Sequence, residues 1–184
     1  MPLSKLVSDL LNKGANFADD DDRELFELKG VEIFRTGRWH GTKYTIGDLD
    51  DIVASFGPDK AGFRPPVKLG HFNKSGDPAF GWVGSIRRVG TRLVADLIDL
   101  PKVVFDAIRD RRFDAVSAEI AFDLEVNDKT FRRVLLGIAL LGSDIPAVAG
   151  LKPLRDVVAG SAAADFDIIG YRPAPTPFDL TNTF

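Results

Sequence analysis

The chain has 184 residues, of which 45% are hydrophobic and 28% charged, so it is large and apolar enough to form one ordinary globular domain with terminal tails. It contains no cysteine, which excludes a disulfide framework, a thiolate metal site and a thiol nucleophile. Its 24 basic and 27 acidic residues give a formal net charge of −3, whereas a dedicated nucleic-acid binder would carry a basic excess.

The N-terminal part of the chain predicts a short helix followed by a linker. Residues 2–13 place apolar side chains at helical spacing, and the four consecutive aspartates at 19–22 repel one another and favour a solvated segment. We therefore expect three parts, with the helix and acidic linker over 1–24, a globular domain over 25–156 and an extended, proline-rich arm over 157–184.

No part of the sequence predicts membrane insertion. The longest apolar run, Val134–Gly142, is far shorter than a bilayer-spanning helix, and charged residues interrupt the N-terminal segment where a signal peptide would be continuously apolar. We expect a cytoplasmic protein without membrane contact.

The globular part predicts strands interspersed with single helices. Strands are expected at 27–37, 67–72, 80–89, 92–98, 113–126 and 131–142, with a turn around 37–41 and a hairpin turn at 90–91. Helices are expected from a Thr45 capping box to Phe56, over 101–112 with Pro101 in the first turn, and over 154–160. This order predicts an α+β fold, with a compact barrel or strongly bent sheet surrounded by helices.

One strand carries residues suited to catalysis. Apolar residues from Val116 to Leu124 alternate with small or polar ones, so Ser117 and Glu119 project from the same face, about 7 Å apart along the strand. His71 ends another extended segment. A hydroxyl, an imidazole and a carboxylate are the minimal groups for acyl transfer, although each of these residues also has an ordinary structural explanation. We expect Ser117 and His71 to meet across neighbouring strands.

The two histidines argue against a metal centre. His40 and His71 are 31 positions apart and lack the spacing of a histidine metal site, so we expect neither a metal nor a cofactor. His40 falls in a predicted turn, where we expect it to be exposed.

Several motifs follow one another in an order that resembles the Mu-like phage prohead proteases, the serine proteases of capsid maturation. They read PPVKLGHFNKSGDPAFGWVGSIRRVGTRLVADL, then FDAVSAEI, then LLGIALLGSDIPAVAGL. The resemblance covers roughly residues 31–151. Phe72 stands where the family often has proline, and the strand after the serine strand has only Gly137 and Ala139 where an ionisable residue is common.

This resemblance implies an assemblin-like fold, a mainly antiparallel β-barrel surrounded by helices. It also implies that Ser117 is the nucleophile and His71 the base. Because the expected acidic position is empty, Glu119 is the first choice for the third member of the triad and Asp144 the second.

The resemblance further implies a biological role. Such proteases act inside the procapsid in the host cytoplasm, where they cleave scaffold and major capsid proteins and themselves, and they form homodimers or higher homo-oligomers. The alternative is a non-catalytic scaffold or capsid-assembly module that retains the fold. A small-molecule hydrolase is disfavoured because the sequence lacks a GxSxG motif.

Overall fold

The computed structural model describes residues 24–71 and 77–163, which form eight strands and three helices. The strands are β1 (Leu25–Arg35), β2 (Gly37–Trp39), β3 (Thr42–Tyr44), β4 (Val67–Leu69), β5 (Trp82–Val89), β6 (Arg92–Pro101), β7 (Ala115–Val126) and β8 (Lys129–Leu141). The helices are α1 (Ile46–Ser55), α2 (Lys102–Arg109) and α3 (Leu154–Ala163). The predicted helix at 2–13, the aspartate linker and the chain beyond residue 163 lie outside the described residues.

The strands pair into three sheets, with orders β1-β6-β5, β2-β3 and β4-β8-β7. All pairs are antiparallel except β4 with β8, which is parallel. The predicted α+β class is therefore confirmed, and the pairing is mostly antiparallel. No sheet closes into a barrel within residues 24–71 and 77–163.

The two three-stranded sheets are joined where β4 begins. Pro66 forms an isolated antiparallel bridge with Trp82, and the Val67 amide donates to the carbonyl of Gly81. The amide of Phe80 donates back to the carbonyl of Val67. These hydrogen bonds continue the first sheet directly into the second, so β4 is held between β5 and β8.

Strand β8 is the central strand of its sheet, as its apolar character on both faces predicts. Ile138, Leu140 and Leu141 expose none of their surface. Ile138 and Leu140 belong to one core to which both large sheets and all three helices contribute. The strand that carries the candidate nucleophile therefore pairs with the best-buried strand of the sheet.

Local sequence signals account for several elements. Thr45 caps α1 in a reciprocal capping box with Asp48, and the hairpin of β5 and β6 turns at 90–91, both as predicted. Pro101 is the N-cap of α2 and lies at the end of β6, not in the first helical turn. The predicted turn at 37–41 is a small hairpin of β2 and β3 that turns at 40–41, where His40 is exposed as expected.

Helix α3 continues across the boundary predicted at residue 156. Leu154 and Val157 are 1% and 4% exposed and belong to the core, so the packed part of the chain extends past that boundary. Among the described helices, none is both long enough and apolar enough to cross a bilayer.

Candidate functional site

Strand β8 lies between the two strands that carry the candidate residues. Ala139 of β8 pairs with Ser117 of β7 on one side and with Lys68 of β4 on the other. Paired residues on adjacent strands project from the same face, so Ser117, Ala139 and Lys68 line one face of the sheet. The expectation that Ser117 and His71 lie on neighbouring strands is wrong, because the most apolar strand of the sheet takes the central position between them.

On this face, the side chain of Glu119 on β7 contacts side chains from β4 and from the turn after it. One carboxylate oxygen, Oε2, accepts a hydrogen bond from Lys68 Nζ at 2.5 Å, and the other, Oε1, lies 3.6 Å from His71 Nδ1. The second distance suits an ion pair but exceeds a hydrogen bond. The side chains of Lys68 and Glu119 are about a quarter exposed, so this cluster lies at the surface of the sheet and not in its core.

Gly137 makes the contact between Lys68 and Glu119 possible. It pairs with Glu119 across β7 and β8, and a Cβ atom at this position would lie 2.9 Å from Lys68 Cε. It would also lie 3.2 Å from the carbonyl oxygen of Pro66. Because glycine has no side chain, the lysine crosses the central strand and reaches the carboxylate on the far side.

A left-handed turn follows β4 and places His71 at the edge of the site. Gly70 has φ +73°, a conformation that glycine adopts without the steric cost of a Cβ. Its amide still donates to the carbonyl of Leu140, so the turn stays attached to β8. Asp144 approaches this turn, with its Oδ2 3.9 Å from where a Cβ on Gly70 would stand. The imidazole of His71 is 37% exposed.

Ser117 shares the face but differs in environment. It is 3% exposed, and within the described part of the chain its hydroxyl makes no hydrogen bond with His71. The structure therefore brings His71 and Glu119 together and places Ser117 two residues before Glu119 on the same strand. Asp144, the alternative acid, approaches the backbone beside His71, and the ion pair of His71 is with Glu119.

The alternation predicted for β7 is not followed in the burial of its residues, either at the site or beyond it. Val116 and Ser117 are both buried, and a bulge follows Glu119, where Leu136 of β8 has no partner. Phe122, predicted on the buried face, is 45% exposed, with its ring under the guanidinium of Arg133 at 4.1 Å. A bulge adds one residue to one strand and so changes which residues face the core.

Sequence reasoning missed Lys68 and the role of Gly137. Lys68 stands between the buried residues Val67 and Leu69, so period-two alternation alone places its side chain on the opposite face from theirs. That signal could have marked Lys68 as a residue on the less buried face of β4, but it identifies neither the Ser117 face nor Glu119 as its partner.

The arrangement supplies the groups of acid–base chemistry on a rigid sheet. An imidazole lies beside a carboxylate, the carboxylate is held by an ammonium group, and a hydroxyl lies on the same face. Within residues 24–71 and 77–163, no three histidine, cysteine, aspartate or glutamate side chains are grouped so as to hold a metal ion.

Comparison of the chain with protein-family models, with curated proteins and with solved structures finds no match. The evidence for function is therefore the geometry of these side chains and the order of motifs along the chain.

Proposed function

We propose that the chain is a serine endopeptidase in which Ser117 is the nucleophile, His71 the general base and Glu119 the acid that orients the base. The observation that carries the proposal is the approach of Glu119 to His71 Nδ1 at 3.6 Å, on the sheet face that also bears Ser117. These residues come from β7 and from the turn after β4, and the motifs of these segments occur in the order typical of prohead proteases.

The proposed reaction proceeds through an acyl-enzyme. The Ser117 oxygen attacks the scissile carbonyl carbon while His71 Nε2 takes the hydroxyl proton. When the C–N bond breaks, His71 returns that proton to the leaving amine. A water molecule then attacks the ester with His71 again as base, which releases the new carboxyl terminus and restores Ser117. Glu119 on Nδ1 keeps Nε2 free to accept the proton and stabilises the imidazolium.

The site is compatible with some tightening on substrate binding. Catalytic hydrogen bonds are often long in the free enzyme and shorten when substrate binds, so a 3.6 Å separation suits a resting state. His71 follows the short strand β4 and a glycine turn, and it needs a movement of less than 1 Å to form a normal hydrogen bond with Glu119.

The barrel belongs to this proposal. The hydrogen bonds at Pro66 and Trp82 join the two large sheets into the order β1-β6-β5-β4-β8-β7, and its outer strands β1 and β7 contact each other. Six strands in this order, with their ends in contact, support a distorted barrel of the assemblin type. Two short strands, β2 and β3, stand outside it.

The substrates and setting follow from the motif order. We infer that the enzyme acts inside a phage procapsid in the host cytoplasm, cleaves scaffold and major capsid proteins and itself, and works as a homodimer or higher homo-oligomer. It needs no cofactor for this reaction and no contact with nucleic acid or membrane.

The experiment that tests the proposal is cleavage of scaffold protein and of the chain itself, followed by intact-mass spectrometry. Ser117→Ala is expected to fold normally and to abolish cleavage, because the nucleophilic oxygen is gone. Ser55→Ala is the matched control. Ser55 is also buried, but it lies at the end of α1, where its hydroxyl shares one hydrogen between the carbonyls of Ile52 and Arg133, so Ser55→Ala is expected to retain cleavage. Full processing by Ser117→Ala overturns the assignment.

A second function, a non-catalytic scaffold or capsid-assembly module, is favoured by one observation. Ser117 is only 3% exposed, which restricts access to its hydroxyl. A fluorophosphonate probe separates the two functions, because it labels a serine that a base activates. Labelling of the assembled wild-type protein, lost in Ser117→Ala, supports the protease, and absence of labelling under assembly conditions supports the module.

A further inference from the structure

Lys68 has a role that the motif order does not suggest. We propose that Lys68 is a positioning residue that holds one oxygen of Glu119 and offsets its charge, so that His71 faces less negative charge than Glu119 alone would present. This inference rests on the proposed function. Only a neutral imidazole can take the Ser117 proton, so the charge balance around His71 decides whether the base is available.

The two oxygens of the Glu119 carboxylate contact different neighbours at different distances. Its Oε2 lies 2.5 Å from the Lys68 ammonium, whereas its Oε1 lies 3.6 Å from His71 Nδ1. The carboxylate is therefore held mainly by the lysine. A carboxylate without that partner would favour the protonated form of His71, because an opposite charge stabilises an imidazolium.

Within residues 24–71 and 77–163, the charged groups near His71 come from three elements. Lys68 comes from β4, Glu119 from β7, and Asp144 from the segment after β8 that approaches Gly70. The set contains two carboxylates and one cation. Removing the lysine leaves the Glu119 carboxylate beside the imidazole without its cation, which favours the imidazolium.

The Lys68 side chain crosses β8 at a glycine. Lys68 starts on the far side of β8 from Glu119 and passes over Gly137, where any side chain would meet its Cε at 2.9 Å. A glycine within a central strand costs stability relative to alanine. Its presence where the lysine crosses supports a role for the contact beyond filling space.

The test is a pH titration of the full chain followed by NMR of the histidine rings. The chain has two histidines, and His40→Gln identifies the signals of His71. In Lys68→Met, the pH at which His71 is half protonated is expected to rise by about 0.5 to 1 unit, as expected when one nearby, partly solvated positive charge is removed. Lys68→Arg keeps the charge and is expected to restore the wild-type value.

Two further variants make the result specific. Lys102→Met removes the lysine of another ion pair, with Asp106 at 2.8 Å on α2, and is expected to leave His71 unchanged although the net charge changes equally. Gly137→Ala displaces the Lys68 side chain without altering charge and is expected to shift His71 in the same direction as Lys68→Met. Lys68→Gln replaces the methionine variant if that variant does not fold.

The activity readout follows the same direction. The acid limb of the cleavage–pH profile is expected to move to higher pH in Lys68→Met by the same 0.5 to 1 unit, with full activity recovered at higher pH. An unmoved His71 titration in Lys68→Met, or an equal shift in Lys102→Met, overturns the role of Lys68. If the titration shifts as expected but Ser117→Ala still cleaves, the protease assignment fails and the charge balance stands.

Discussion

Glu119 contacts two chemically different neighbours through its two oxygens, and this division defines the site at the scale of single residues. The contact to Lys68 is short and the contact to His71 is long. An acid in this position can orient an imidazole only while its own orientation is fixed, which the lysine provides.

We expect Glu119→Gln to lower kcat by about 10²-fold or more, because an amide neither fixes the Nδ1–H tautomer as well nor stabilises the imidazolium. Asp144→Asn is the matched control, since Asp144 was the other candidate acid and its nearest approach is to Gly70. Steady-state cleavage of a scaffold-derived peptide measures both. A larger loss in Asp144→Asn than in Glu119→Gln would transfer the role to Asp144.

The sequence predicts part of this site, for a clear reason. Ser117 and Glu119 share a face because they are two residues apart on one strand, which a local pattern shows. The approach of Lys68 depends on the parallel pairing of β4 with β8, and no local pattern specifies which strands pair. In the sequence, Gly137 occupies a position where an ionisable residue is expected. In the structure, its lack of a side chain leaves room for Lys68 to cross β8.

At the scale of elements, helix α1 shows how a local motif is reinforced by distant residues. The Thr45 amide donates to Asp48 Oδ2 at 2.7 Å, and the amide of Asp48 lies 3.3 Å from the Thr45 hydroxyl. On its other side, Asp48 Oδ1 faces Arg132 at 3.1 Å and Arg133 at 3.2 Å on β8. Arg133 Nε is poorly aligned for a hydrogen bond, so this contact is an ion pair.

These contacts set the ionisation of Asp48. Burial would raise the pKa of its carboxyl, but the hydrogen bonds from Thr45 and the charges of Arg132 and Arg133 outweigh it, so the pKa lies below the ordinary 3.8. A group whose pKa is lowered by folding stabilises the native state above its unfolded pKa and loses that contribution as pH falls through its folded pKa.

We therefore expect Asp48→Asn to reduce the free energy of unfolding by about 1–3 kcal/mol at neutral pH. The difference from wild type should shrink as pH falls below about 4. Urea denaturation at a series of pH values measures this. Asp50→Asn on the same helix removes an exposed pair with Arg88 and is expected to change little. A difference for Asp48→Asn that does not vary with pH contradicts the argument.

The elements that the sequence predicts well are those with local signals. The capping box fixes the start of α1, and the turn at 90–91 fixes the hairpin of β5 and β6. The hairpin of β2 and β3 has three residues per strand, too few for a clear alternation, so the sequence predicts only a turn there. The bulge after Glu119 was missed because it depends on the partner strand.

At the scale of the whole molecule, one core joins all three helices to both large sheets. Helix α3 contacts β1 and α2, so the end of the described chain packs against its beginning. The chain from β1 to α3 should therefore unfold as one cooperative unit.

Val157→Ala tests this closure. Val157 is 4% exposed and belongs to the core, so we expect the free energy of unfolding to fall by about 1–3 kcal/mol in a single transition. Val89→Ala is the matched control, since Val89 is 56% exposed at the end of β5 and its truncation should cost close to nothing. Equal effects of the two variants in urea denaturation would place α3 outside the cooperative unit.

The central position of β8 has a consequence during synthesis. The ribosome produces His71 first and then Ser117. Only afterwards does it produce β8, the strand that pairs with both β4 and β7 and fixes their register. Until residues 129–141 emerge and insert between β4 and β7, the chain contains His71 and Ser117, but no strand holds them at a fixed distance from each other. For the proposed protease, a growing chain would then be unable to cut its neighbours, and activity would arise as one of the last events of folding.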